Sequence, residues 1–232
     1  MFGAASPAPH HSAPGPRVGI RPFRLSDAEE FTARVRESRE LHGPWLAPPD
    51  TPAKFRRYAG ALIEDPTRVG FLVCTRDDDR IAGFVNVNNI VEGAFQNGAL
   101  GYGAFAHAAG RGLLSEGLDL VLNRAFGRLG LHRLEANIQP GNEASRALVR
   151  KAHFRYEGYS PDFLFLAGAW RDHERWALTA PEYRPLTPTR EPERCEEREA
   201  GDEYQAHDDQ EPRGEHEARD DHETRAEHEA HH

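Results

Sequence analysis

The chain has 232 residues, enough for one sizeable domain with a core of its own, and a formal net charge of −9. Residues 186–232 hold 17 acidic and 6 basic side chains, a net of −11, so residues 1–185 carry only +2. A domain so close to neutral lacks the cationic excess of a nucleic-acid binder. The two cysteines, Cys74 in an apolar run and Cys195 in the acidic tail, form neither a disulfide framework nor a zinc spacing.

Residues 1–17 are mostly Ala, Pro, Gly, His and Ser and read as a disordered segment. The folded domain is expected over 18–185. Val18–Arg24 reads as a short strand, and Ser26-Asp27-Ala28-Glu29 as a capping box opening a helix that runs to about Arg39. A Pro-rich loop carrying Trp45 leads to a second helix, from about Thr51 to Ile63. Gly70–Arg76 and Arg80–Asn89 are strands of a hairpin around Asp77-Asp78-Asp79, and Ala99–Ala106 is another strand. The stretch Gly93–Gly110 is uncharged, but its glycines, Gln96, Asn97 and His107 argue against a membrane span. The N-terminus lacks a basic region followed by an apolar one, so a cytoplasmic protein is expected.

From Gly112 to about Leu129, apolar residues recur every three or four positions, the mark of a helix with one buried face. Leu131–Gln139 is a strand, Glu143–Ala152 a short helix, and Phe154–Tyr159, Asp162–Leu166 and His173–Thr179 are closing strands, with a turn at Gly168-Ala169-Trp170. Alternating strands and helices, with hairpins at both ends, imply an α/β (α+β) domain. Its sheet is mixed, mostly antiparallel and twisted, with helices on both faces. From 186 onward apolar residues are scarce. His216, His222 and His228 recur among acidic residues, which reads as a disordered acidic His-rich tail or as weak divalent-metal binding with no strict ligand set.

Two segments carry chemistry. Ala109-Gly110-Arg111-Gly112-Leu113-Leu114 opens the long helix, and Pro140-Gly141-Asn142-Glu143-Ala144-Ser145 opens the short one. Each places small residues and free N–H groups at a helix start, where an anion can sit and the dipole adds about 0.3–1 kcal/mol per charge. The plain alternatives are a loop-to-helix turn for the first and simple helix capping by Asn142 for the second. Asn142 and Ser145 also supply neutral donors and acceptors of the kind an amide-rich cofactor arm needs.

With these turns go Asn89-Ile90-Val91-Glu92-Gly93-Ala94-Phe95, Leu131-His132-Arg133, Glu157-Gly158-Tyr159 and Gly168-Ala169-Trp170-Arg171-Asp172-His173. In these features the chain resembles the GCN5-related N-acetyltransferases (GNAT), in their RimJ/RimL branch, over about residues 18–183. The resemblance implies an acetyl-CoA-dependent N-acetyltransferase whose 99–106 and 131–139 strands splay apart where the pantetheine enters. By that likeness, pantetheine amides pair near Phe105 and Ala106, residues Ala109 to Leu114 hold the pyrophosphate, and Asn142 and Ser145 touch the pantetheine. The sequence departs from the family at Ala109, where Gln or Arg is usual, at Leu114, where Gly or Ala is usual, and at His153, where Gly is usual. It also has no Tyr on the 143–152 helix to act as general acid.

The implied reaction is direct attack of an amine on the thioester. A main-chain N–H near Phe105 or Ala106 is the candidate oxyanion donor, a role worth about 3–4 kcal/mol. Ser145 is the candidate on the thiolate side. Asp162 is the candidate base, within a cluster with Asp172 and His173. Its case is that relatives place an acidic residue where Leu164 stands, two positions along a regular strand and hence on the same face. Glu116 reads as a helix-start carboxylate rather than a base. Trp45 has two readings, a core anchor or a lining of the acceptor pocket. The expected acceptor is a protein N-terminal α-amine, with a ribosomal protein as one instance. A small amine or antibiotic, and a non-catalytic acyl-CoA-binding module, are the alternatives. The protein is expected as a monomer or a homodimer, with no metal site in the domain.

Overall fold

A computed structural model of the chain describes residues 16–186. Seven strands form one sheet: β1 (Val18–Pro22), β2 (Val69–Thr75), β3 (Ile81–Val91), β4 (Asn97–Ala104), β5 (Arg133–Ile138), β6 (Arg155–Leu166) and β7 (Ala169–Thr179). Their order is β1-β2-β3-β4-β5-β7-β6, and only β4 and β5 run parallel. Helices α1 (Ala28–Glu37), α2 (Arg39–His42) and α3 (Pro52–Glu64) precede β2; α4 (Leu113–Phe126) and α5 (Glu143–Lys151) flank β5.

Alternation along the strands feeds two cores, one on each face. On one face Leu72, Cys74, Ile81 and Phe84 meet Phe31, Phe55 and Phe105 beneath α1 and α3. On the other, Phe71, Val73, Val85, Leu134 and Ala136 meet Leu118, Val121 and Leu122 of α4 and Val149 of α5. Cys74 is a buried free thiol, which burial pushes up in pKa.

The local starts differ in detail from the sequence patterns. The box expected at Ser26 does not form. Asp27 instead accepts the Arg24 N–H at 2.8 Å and is gripped by the Arg21 guanidinium at 2.8 and 2.9 Å, so a 3₁₀ turn precedes α1. Thr51 does cap α3, accepting from the Lys54 N–H at 3.4 Å. The four-residue α2 is too short to leave a periodicity.

The closing strands 154–159 and 162–166 are one strand, β6, interrupted by register shifts at Tyr156/Gly158 and Ser160/Leu164. The turn to β7 is Ala167-Gly168, at φ +49° and +82°, the pair of left-handed residues that a two-residue hairpin turn requires.

The ordered domain reaches slightly past both expected limits. The Arg17 N–H and guanidinium bind Glu116, and the Leu186 N–H binds the Asp119 carboxylate at 3.1 Å. The rest of the expected N-terminal segment and the acidic tail, with Cys195 and its histidines, lie outside the described residues. Among the described residues no helix is long and apolar enough to cross a membrane.

Candidate active site

Strands β4 and β5 pair only from Asn97↔Arg133 to Leu100↔Ala136. Beyond Leu100 they part, and the gap passes through the sheet as a cleft of about 330 Å³. Its walls come from both faces. Leu114 of α4 with Ala144, Ser145 and Leu148 of α5 form one side; Trp45 and Leu46 of the α2–α3 loop with Leu164, Leu166 and His173 form the other.

The splay leaves one edge of β4 without a strand partner. In an antiparallel ladder, backbone groups point alternately to the two neighbours. The Phe105 N–H donates to the Ala82 carbonyl on β3 at 2.9 Å, and the register runs on through Phe84↔Gly103 and Asn86↔Gly101. The N–H groups of Tyr102 and Ala104 therefore face the opened edge. This corrects the expected oxyanion donors. Phe105 is fully buried with its N–H taken, and the Ala106 N–H donates to Ser38 Oγ at 2.9 Å. The strand also alternates in bulk. A Cβ on Gly103 would lie 2.6 Å from Leu46 Cδ2 and 2.9 Å from the Phe84 ring, so this face of β4 must stay bare.

At the loop before α4, Gly110 and Gly112 both adopt left-handed backbone, at φ +72° and +78°. Ala109 is already committed, its N–H donating to the Phe105 carbonyl at 2.9 Å. The N–H groups of Gly110, Arg111 and Gly112 have no acceptor among the described residues. Leu113 and Leu114 follow in the first helical turn, where amides have no intrahelical partner. Leu113 is core and Leu114 lines the cleft. The Arg17 guanidinium braces the loop, donating to the Arg111 carbonyl at 2.9 Å and pairing with Glu116 at 2.5 Å. Glu116 is thus a paired helix-start carboxylate. Free amides on a left-handed loop, leading to an opened strand edge, suit a pyrophosphate followed by an amide-bearing arm.

Asn142 caps α5, its Oδ1 accepting from the Ser145 N–H at 3.1 Å. Ser145 Oγ lies 2.6 Å from the Tyr102 hydroxyl, and both line the cleft. Burial pushes the Tyr102 phenol up to about 12, so it is a proton donor at neutral pH. The 143–152 helix carries no tyrosine, as the sequence shows, and a tyrosine from β4 stands beside Ser145 instead. The glycines at 101 and 103 around Tyr102 were the available hint: on a strand they mark a bare face opposite a built one.

Trp45 belongs to neither core cluster and lines the cleft. Asp162 does not line it. On a regular strand Asp162 would share the face of Leu164, but it falls in the β6 bulge at φ +46° and is exposed. Its N–H donates to Asp172 Oδ1 at 2.9 Å, and Tyr159 donates to the same carboxylate, holding it below its ordinary pKa. That pair shapes the bulge. His173, the third member of the expected cluster, does face the cleft. Sequence reasoning missed His42 and Asn137, which also line it; His42 Nε2 donates to the Ala104 carbonyl at 2.9 Å.

A family model described as an acetyltransferase (GNAT) domain matches residues 17–155. The chain belongs to the GNAT acetyltransferase family. As such it is an N-acetyltransferase, with acetyl-CoA as its co-substrate. This acetyltransferase is 30% identical over 192 residues to the [Ribosomal protein uS5]-alanine N-acetyltransferase of Escherichia coli, covering 80% of this chain and 99% of that one. It is 30% identical over 176 residues to the probable N-acetyltransferase YjcK of Bacillus subtilis, covering 72% and 97%. Among solved structures, Mycobacterium smegmatis RimJ in complex with CoA-disulfide superposes with a TM-score of 0.66 at 27% identity, over 71% of this chain and 83% of that one.

Proposed function

We propose that this acetyltransferase acetylates the N-terminal α-amine of a protein, with a ribosomal protein as the acceptor. The observation that carries the reading is the character of the cleft: among the described residues none that lines it is Asp, Glu, Lys or Arg. An α-amine has a pKa near ~7.8 and a lysine side chain near ~10.4, so at neutral pH the α-amine is several hundredfold more often in the reactive neutral form. A site of neutral groups suits that amine. A polycationic small acceptor would leave its remaining charges facing no carboxylate. The 30% identity to the uS5-alanine enzyme, over 99% of that chain, supports the same class of acceptor.

In this reading pyrophosphate rests on the amides from Gly110 to Leu114, with Arg111 beside it, and the pantetheine lies along the opened edge of β4 past Asn142. The Tyr102 or Ala104 N–H receives the oxyanion. Ser145, with Tyr102 behind it, protonates the departing sulfur. Trp45 packs against the acceptor. The test is mass spectrometry of protein N-termini from a deletion strain and its parent. Newly unacetylated N-termini, restored by the wild-type gene, are the expected result. An unchanged set of N-termini would overturn the reading in favour of a small amine.

A further inference from the structure

The acceptor side of the cleft holds two hydrogen-bond acceptors that have no partner among the described residues. Alternation along β7 puts Glu174 and Trp176 on the α5 face, where Arg146 pairs with Glu174 at 2.5 Å. His173 and Arg175 therefore turn to the opposite face. There the Arg175 guanidinium stacks over Phe163 at 4.5 Å, and Phe163 meets the His173 ring edge-on at 5.9 Å. On β5, Leu134, Ala136 and Ile138 feed the α4–α5 core, which sends Asn137 to the same face as His173. The two strands are in register there, with Asn137 opposite Arg175 and Ile138 opposite Glu174. His173 thus stands where β5 ends and the splay is open.

The chemistry of both side chains is fixed by their surroundings. His173 is 2% exposed, and its Nδ1 lies 2.9 Å from the Arg171 carbonyl. A carbonyl only accepts, so Nδ1 carries the proton and Nε2 presents a lone pair. Among the described residues Nε2 has no hydrogen-bond partner, and Asn137 Oδ1 is buried with none. Burial holds the His173 pKa below its ordinary value, which keeps the ring neutral and spares an incoming amine a repelling charge.

We propose that His173 is the proton acceptor for the attacking amine and that Asn137 positions that amine. This rests on the acyl-transfer reading of the cleft. The neutral amine donates one N–H to His173 Nε2 and one to Asn137 Oδ1, which turns its lone pair toward the thioester carbon. As the C–N bond forms the nitrogen becomes positive, and its proton passes to Nε2. The C–S bond breaks as the carbonyl re-forms, and the sulfur takes a proton from the Ser145–Tyr102 pair. The imidazolium returns its proton to solvent, which also resupplies Ser145–Tyr102, so one proton is gained and one lost.

The test uses the full chain with acetyl-CoA and a peptide bearing an N-terminal alanine, and spermidine in parallel as a small-amine acceptor. His173→Gln keeps a hydrogen-bonding group near the Nε2 position but cannot take the proton. It should lower kcat about a hundredfold, the lower end of a general-base contribution, with the acetyl-CoA-induced melting shift retained. Folded His173→Ala should regain turnover on addition of imidazole, which a histidine with a merely structural role would not do. Asn137→Ala should raise the peptide KM and lower kcat by less than His173→Gln does, because orientation is lost while the base remains. A His173→Gln kcat close to wild type, or no response of folded His173→Ala to imidazole, overturns the proposal. Nitrogen NMR of the wild type needs no variant: the His173 Nε2 signal should move at saturating peptide, and an unmoved signal overturns the proposal. Turnover of spermidine but of no peptide would sink the α-amine reading and leave His173 to be tested on spermidine by the same variants. Turnover of neither would sink both.

Discussion

The two sides of the cleft are built differently. In the proposed reading the loop from Gly110 to Leu114 binds through backbone: its donors are main-chain N–H groups, and what the residues there must supply is conformation, two left-handed glycines and a helix start. The acceptor wall of that reading is made of side chains from Trp45, Asn137, Leu164 and His173, which line one cleft only because β4 and β5 part. A backbone site is compact in sequence and fails at a point. A side-chain site is scattered, and its members can be changed one at a time. Each of the following changes strains that contrast.

The largest effect is expected at Gly112→Asp. The substitution forces an L side chain into φ +78° and sets a carboxylate against the pyrophosphate. At about 4 Å, two like charges at a protein surface repel by about 4 kcal/mol, enough to lower affinity by more than about a hundredfold. Thermal melts should show the acetyl-CoA-dependent rise of the wild type lost in this variant. If the rise survives, the anion does not rest on this loop.

Tyr102→Phe should act on turnover and not on cofactor binding. It removes the hydroxyl 2.6 Å from Ser145 Oγ while keeping the ring. A drop in kcat of about tenfold, smaller than the about hundredfold or more of a direct general acid because Ser145 remains, should accompany an unchanged melting shift with acetyl-CoA. Steady-state kinetics with the peptide acceptor check it. A full wild-type kcat would remove Tyr102 from the thiolate side.

The smallest effect lies outside both walls. His153 follows α5 at φ +64°, a conformation that costs a non-glycine residue about 1–2 kcal/mol. His153→Gly should raise stability by about 1 kcal/mol in denaturant melts and leave kcat and KM untouched. A loss of activity there would mean that the end of α5 takes part in placing Ser145.

His153 also shows how far local sequence reaches. The usual glycine before Phe154 is a statement about backbone angle, and the angle is present here although the glycine is not. Strands, long helices and the loop at Ala109–Leu114 were legible for the same reason: alternation, 3.6-residue periodicity and glycine all report local conformation. The legible part went astray where a neighbour overrode the local pattern. Arg21 took Asp27 and moved the start of α1. The β6 bulge, with the Asp162 N–H tied to Asp172, turned Asp162 away from the cleft. Ala82 and Ser38 consumed the amides of Phe105 and Ala106.

The order of the main elements, the family and the glycine loop before α4 were legible in the sequence alone, because each is marked by residues within a few positions of one another. Which hydroxyl stands beside Ser145 and which amides remain free at the splay were decided by tertiary structure alone. Those properties belong to pairs of groups 43, 68 and 23 residues apart: Tyr102 with Ser145, Ala106 with Ser38, and Ala82 with Phe105. No local pattern encodes whether a distant partner has already taken a hydrogen bond.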